Sequence, residues 1–318
     1  MSATIRVGTA SWTDHEPFYP PEYSKTAMQS QRISFYARYF SVVEVDSTFY
    51  HLQPPRNFQM WADRTPEDFI FDVKAYGELT WHHRDDSGTA ITPSADTFTR
   101  FSEMLQPMRA AGKLGALLFQ FPPWFTFQEE HLAYFATVRE MLPADTIAVE
   151  FRHRSWLEGL NADETRAALE ENGLSYCAVD EPQIGSGSVP PVVMVTNPRF
   201  SMVRFHGRNR RMWYGKGLSS SRDRFDYLYS TDELQPWADR IHKIADRLAG
   251  GEVHVITNNN AANYGILNAL DLQRLLGQAL GLGEPLPDTV AHTVRERWPS
   301  LGSGSTSPDD SGDTGDTA

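Results

Sequence analysis

Apolar runs of strand length recur along the chain at roughly 5–9 (IRVGT), 42–46 (VVEVD), 69–74 (FIFDVK), 115–121 (GALLFQF), 146–152 (TIAVEFR), 174–179 (LSYCAV), 201–206 (SMVRFH) and 252–257 (EVHVIT). Amphipathic helical patterns separate most of them. The spacing predicts helices over about 25–39 after Ser24, over 94–110 after Pro93, from near Thr126, from Asn161 to Gly173, from Ser230 to near Gly250, and over 264–279. Thr126-Phe-Gln-Glu129 has the form of a capping box, and Ser230-Thr-Asp-Glu233 reads as a helix opening. The segment 53–64 makes a short helix at best, and 181–200 is too rich in proline and glycine for a helix. Eight strands alternating with helices predict an α/β fold: a single TIM-type (β/α)8 barrel over residues 1–300, with an irregular crossover between strands 6 and 7. An open doubly wound sheet is the alternative, weakened because no GxGxxG follows the first strand and no P-loop is present. Residues 302–318, polar and acidic with repeated Gly, Ser and Asp, are expected to be a disordered tail.

Side chains along a strand alternate faces, and the alternation is informative in nearly every run. Val43 and Val45 oppose Glu44 and Asp46. Phe71 and Val73 oppose Asp72 and Lys74, and Phe119 and Phe121 oppose Leu118 and Gln120. Ile147, Val149 and Phe151 oppose Glu150 and Arg152. Val203 and Phe205 oppose Arg204 and His206, and Val253 and Val255 oppose His254 and Asn258. Arg6 stands opposite Ile5 and Val7 on the first strand, and Asp180 ends the sixth. In a barrel the apolar face packs under the helices and the polar face points inward. Its C-terminal end opens onto the mouth where such folds keep their chemistry. Arg6, Glu44 and Asp72, early or mid-strand, read as an interior structural layer. Lys74, Glu150, Arg152, Asp180, His206 and Asn258 read as a cluster at the mouth.

Composition narrows the setting. The net charge is −12, of which Asp309, Asp310, Asp313 and Asp316 supply four, leaving about −8 on residues 1–300. That argues against non-specific coating of nucleic acid. No apolar run of membrane-spanning length is present, and the start, MSATIRVGTASW, lacks the pattern of a secretory leader. One cysteine, Cys177, lies in an apolar run and is expected to be buried and inert, and a cytoplasmic location fits.

The stretches GTASW (8–12), FYP (18–20), VEVDSTFY (43–50), FDVKA (71–75), FQFPP (119–123), VEFRHRSW (149–156), VRFHGRN (203–209) and NNNAANYGILNA (258–269) carry a family resemblance. In these the chain resembles the domain of unknown function 72 family, also called YecE-like. The resemblance implies a TIM-type barrel and no settled activity.

For chemistry, acid–base work is the most economical reading: Glu150 or Asp180 as base, His206 as acid or shuttle, with Arg152, Arg204 and Lys74 stabilising negative charge. A strand-end Lys74 could instead form a Schiff base. The loop HGRNRRMWYGKG (206–217) offers Arg208, Arg210, Arg211 and Lys216 among glycines, a pattern suited to gripping phosphate or carboxylate. Substrate contacts are expected from these arginines with Arg204, Asn258, Asn259, Gln120, and the rim aromatics Trp12 and Tyr50, which could stack on a sugar or base. No cofactor is expected. A divalent metal on Glu44, Glu150, Asp180 and His206, with His82-His83 as a further source, is the alternative, opposed by the cations on the same face. The leading reading is an enzyme acting on a small anionic, phosphorylated or sugar-like substrate at the barrel mouth. A nucleic-acid lesion binder or endonuclease-like barrel, and a non-catalytic scaffold, are the alternatives.

Overall fold

A computed structural model describes residues 3–24, 28, 30–215, 221–248 and 250–299. The acidic tail and Lys216 lie outside the described residues. Eight parallel strands close a barrel in sequence order: β1 (Thr4–Ala10), β2 (Val42–Val45), β3 (Ile70–Lys74), β4 (Leu114–Gln120), β5 (Thr146–Glu150), β6 (Ser175–Asp180), β7 (Phe200–Phe205) and β8 (Glu252–Thr257), with β1 paired to both β2 and β8. The described helices outside it are α1 (Arg32–Tyr36), α2 (Pro55–Asp63), α3 (Ala95–Met104), α4 (Gln106–Ala110), α5 (Glu129–Met141), α6 (Leu160–Glu171), α7 (Thr231–Ala245), α8 (Tyr264–Leu275) and α9 (Asp288–Arg297). The barrel predicted from alternation is therefore present. The β6–β7 crossover has no α-helix, only a short 3-10 turn at Gly185–Gly187.

Differences from the predicted elements have local causes. The pattern over 94–110 divides at Leu105, because Pro107 lacks the amide that would continue the ladder. At Ser230, where only a helix opening is predicted, a capping box forms, with Ser230 and Glu233 exchanging side-chain-to-backbone bonds. The one at Thr126 does not: α5 starts at Glu129 after Gln128. There the Phe127 amide is taken by Ser155 Oγ and the Thr126 carbonyl faces His131 Nδ1, so the chain stays irregular until Gln128. Helix α9, unpredicted, is held where Arg297 and Trp298 converge on Asp271 of α8.

The core lies between sheet and helices and is strongly aromatic. Phe121, Phe125, Phe151 and Trp156 stack in series with centroids 4.0 to 6.4 Å apart. The N-terminal end of the barrel is closed by a charged plug: His254 Nδ1 is 2.9 Å from Asp72, His254 Nε2 is 3.2 Å from Glu252, and Arg6 Nε donates to Glu252 at 3.1 Å. Asp72 Oδ1 also accepts the Ala116 amide at 2.7 Å. Gly115 is required beside it, since a Cβ there would stand 2.4 Å from Asp72 Oδ1.

Candidate functional site at the barrel mouth

Strand register brings the inward charges together. Gln120 is opposite Glu150 on β4 and β5, Ala10 opposite Glu44 on β1 and β2, and Val179 opposite Arg204 on β6 and β7. A continuous ion chain then crosses the barrel. Glu44 Oε1 accepts from Arg204 Nη2 at 2.6 Å, and Arg204 Nη1 donates to Glu150 Oε2 at 2.5 Å. Glu150 Oε1 accepts from Arg152 Nε at 2.6 Å, and Arg152 Nη1 donates to Glu181 Oε2 at 2.9 Å. Glu44, Glu150 and Arg204 are fully buried. Charges this deep persist only because each is paired and hydrogen-bonded.

The chain polarises its members differently. Burial alone would raise the Glu150 carboxyl, but Arg152, Arg204 and His206 hold it well below the usual carboxylate range. That makes Glu150 a fixed counter-charge and a poor base. Burial raises Glu44 against the pull of Arg204, with the nearby Asp46 charge pushing the same way as burial. Burial also raises Glu181 to about 7, with Arg152 pulling the other way. His206 is pressed down to about 3 by burial and by Arg152. Its Nε2 stands 2.9 Å from Arg152 Nη2 and 3.2 Å from Glu150 Oε1, and its Nδ1 is 2.9 Å from the Asn258 amide. Arginine offers only protons, so the neutral ring turns its Nε2 lone pair to Arg152.

Arg152 is where this chain meets solvent, with 11% of its side chain exposed. Gln120 Oε1 accepts from Nη2 at 3.3 Å, and the guanidinium lies 5.6 Å from the Trp213 ring centroid. Above it is a cleft of about 320 Å³ lined by Arg152, Trp124, Trp213, Tyr214, Arg224 and Phe225, with Pro123 and Gly187. Lys74 sits beside the cluster with its Nζ 3.9 Å from Asp46 Oδ1 and 4.8 Å from the Phe49 ring centroid.

Several predicted residues lie elsewhere. Asp180 pairs in register with Phe205, whose side chain faces the helix layer, and it points the same way. Its carboxylate accepts from Arg208 twice, at 2.8 and 2.7 Å, from Tyr229 at 2.7 Å and from Trp237 Nε1 at 2.7 Å. It is an outer anchor, and Arg208 is committed to it and to Glu233. Arg210 lines a neighbouring cavity of about 260 Å³ with Asp180, Glu181 and Arg208, and Arg211 is exposed. Gly207, at φ 84°, brings the loop against Tyr227, where a Cβ would come within 2.8 Å. Asn259 donates to Tyr227 O and Asn268 Oδ1, away from the cluster. Trp12 packs edge-on against Trp61 and Phe71 in the sheet–helix layer. Tyr50 is 72% exposed on the rim. The ligand types considered for a metal do not converge either: Asp180 faces outward, and Arg204 bridges Glu44 and Glu150. Among the described residues no three His, Cys, Asp or Glu side chains form a metal-sized group.

The sequence reading missed Glu181, Trp124, Arg224 and Phe225. Glu181 was recoverable, because extending the β6 alternation from Cys177 through Val179 reaches it. Cys177 Sγ does face Glu150 Oε2, at 3.9 Å, and is buried with its thiol pushed up by that burial. The other three come from loops whose fold no periodicity encodes.

Comparison with known proteins agrees with the architecture. UPF0759 protein YunF of Bacillus subtilis (strain 168) is 35% identical over 274 residues, covering 86% of this chain and 94% of the relative. UPF0759 protein YecE of Escherichia coli (strain K12) is 25% identical over 178 residues, covering 55% of this chain and 59% of the relative. A crystal structure of a DUF72 family protein from Enterococcus faecalis V583 superposes with a TM-score of 0.76 at 30% identity, covering 86% of this chain and 96% of that one. A DUF72 family protein from Thermotoga maritima MSB8 gives 0.72 at 30% identity, covering 86% and 100%. The family model described as "Protein of unknown function DUF72" matches residues 6–290, and with the closed barrel and its inward ion chain on the page, the chain belongs to the DUF72 family.

Proposed function

We propose that the protein is an enzyme that binds a small anionic substrate at the C-terminal barrel mouth and processes it by acid–base chemistry. The observation that carries this reading is Arg152: a guanidinium fixed from below by Glu150, Gln120, His206 and Glu181, with its exposed part in an aromatic-walled cleft. A preorganised cation over a packed ion network binds a carboxylate or phosphate without first having to be ordered. Trp124, Trp213, Tyr214 and Phe225 supply the flat surfaces that suit a sugar-like or planar body. Glu181, with its carboxyl near 7 and bonded to Arg152, is the group best matched to proton transfer at neutral pH. Neutral His206 accepts and orients rather than donating charge.

The test is a thermal-shift panel of sugar phosphates, nucleotides, small carboxylates and short oligonucleotides, at low and physiological salt, on the wild type and Arg152→Met. A ligand at 100 times its Kd adds roughly 2.7 kcal/mol of stability. The expected result is a shift by a small anion that Arg152→Met abolishes. A shift by oligonucleotides alone, steeply salt-dependent, would replace this reading with a nucleic-acid one. A small-anion shift unchanged in Arg152→Met would remove the mouth as the site.

A further inference from the structure

The lysines of this chain are Lys25, Lys74, Lys113, Lys216 and Lys243, and every other side-chain cation of fixed charge is arginine. Arginine stays protonated at any working pH, whereas lysine can give up its proton and become a nucleophile when desolvated. Lys113 is used structurally, its Nζ donating to the carbonyls of Ala62 and Thr65. Lys74 is different. It ends β3 at the C-terminal face, where its strand neighbours point into the barrel. Among the described residues its ammonium has no carboxylate closer than the 3.9 Å contact to Asp46, and it also lies over the face of Phe49. The side chain remains 15% exposed, so a small molecule can reach it.

The surroundings supply what an amine nucleophile needs. Burial lowers the Lys74 pKa, and Arg204 pushes in the same direction against Asp46, Glu44 and Glu150. Glu44 stands in β2 and Asp46 just beyond its end, and burial raises the Glu44 carboxyl, with the neighbouring Asp46 charge adding to the rise against the pull of Arg204. His82 lies in the field of both Lys74 and Arg152 and is held neutral, at about 3, by burial and those cations. Its ring is 4.7 Å from Phe49 and 5.9 Å from Trp124, which also lines the Arg152 cleft. Lys74 and the cleft are thus joined by one aromatic wall.

We propose that Lys74 forms a reversible imine with the carbonyl carbon of a small keto- or aldehyde-bearing anion whose charged end rests on Arg152. The proposal rests on the reading of the mouth as an anion site and names the substrate class. The neutral Nζ lone pair attacks the carbonyl carbon, the N–C bond forms, and the C=O pair moves to oxygen. That oxygen takes one proton from solvent, which reaches the partly exposed Lys74, and one released by Nζ, and leaves as water as the nitrogen lone pair closes the C=N bond. The result is a cationic iminium at the position of Nζ, with Asp46 as the nearest carboxylate. The iminium then withdraws electrons from the adjacent carbon, the step that makes bond cleavage or proton removal there feasible.

The experiment incubates the protein with pyruvate, glyoxylate or, as a control of similar shape without a keto or aldehyde group, lactate, adds sodium cyanoborohydride, and maps adducts by peptide mass spectrometry. Thermal shifts are read in parallel on wild type, Lys74→Arg, Lys74→Met and Arg152→Met. Lys74→Arg keeps the cation over Phe49 but cannot form an imine, so folding and anion-dependent shifts should persist while trapping is lost. The expected result is a reduced adduct on the Lys74 peptide in at least tenfold excess over Lys243, with pyruvate or glyoxylate and never with lactate. An adduct spread evenly over Lys74 and Lys243 overturns the proposal. So does no adduct when lactate or pyruvate still gives an Arg152-dependent thermal shift, a result that leaves the anion site standing. Absence of both shift and adduct removes the imine and the anion site together.

Discussion

Glu150 is the residue on which the mouth turns. It accepts from two arginines at 2.6 and 2.5 Å, with His206 at 3.2 Å and Cys177 behind it, and none of its surface is exposed. Removing one partner of a buried ion pair leaves the other charges uncompensated, which typically costs about 3–5 kcal/mol. Glu150→Gln preserves shape and removes the charge that separates Arg152 from Arg204. Its expected cost is about 3–5 kcal/mol in urea unfolding, together with loss of anion binding as Arg152 loses its fixed orientation. A cost below about 1 kcal/mol would show that the ion chain is not what holds the barrel floor.

At the scale of elements, helix α7 connects the scaffold to the site. Glu233 closes the capping box on Ser230, accepts from Arg208 at 3.1 Å and from Tyr227 at 2.6 Å, while Trp237, about one turn further along the helix, pins Asp180. The start of α7 is therefore tied to the loop after β7. Losing an N-cap hydroxyl costs about 1 kcal/mol. Ser230→Ala should lower stability by about 1 kcal/mol, whereas Thr126→Ala, whose hydroxyl caps no helix, should change it by less than about 0.5 kcal/mol. Equal effects in chemical denaturation would contradict the helix start seen at Glu129. Both tetrapeptides look alike as text. What separated them was competing hydrogen bonds: the Phe127 amide goes to Ser155 Oγ and the Thr126 carbonyl to His131 Nδ1 before a helix can begin.

For the molecule as a whole, buried histidines at the two ends of the barrel set opposite limits of pH. At the N-terminal end His254, although burial pulls it down, is raised to about 9 by Asp72 and Glu252. The folded chain holds that proton more tightly than the unfolded chain, so its stabilisation is complete below about 6.5 and is lost as pH rises through about 9. Glu181, raised to about 7, stabilises most below its ordinary range and loses that contribution between about 4.5 and 7, which offsets part of the acid limb. At the mouth His206 and His82, both lowered to about 3, act in the opposite sense. They are neutral when folded, so stability falls as pH drops below about 6.5 toward 3. Stability should trace a bell with its maximum near pH 6.5, the alkaline limb on the order of 3 kcal/mol. His254→Asn should flatten that limb and leave the acid limb in place. Urea midpoints from pH 4 to 9.5 on both proteins check this, and an unchanged alkaline limb in the variant would rule out the plug as its source.

The sequence alone determined the barrel and the composition of its interior, because alternation on a strand is a local property and each strand carries its own. Val149, Phe151, Val203 and Phe205 are apolar for the same reason that Glu150, Arg152, Arg204 and His206 are not: successive side chains take opposite faces. Which charges meet was decided only by closure and register. Val179 opposite Arg204 and Asp180 opposite Phe205 turn Asp180 outward onto Trp237 and leave Glu181 to bind Arg152. A shift of one residue exchanges the two faces, and no single strand fixes that shift. The loop residues Trp124, Arg224 and Phe225 belong to the same class. Their places over Arg152 depend on irregular segments converging from separate parts of the chain, which carry no period to read.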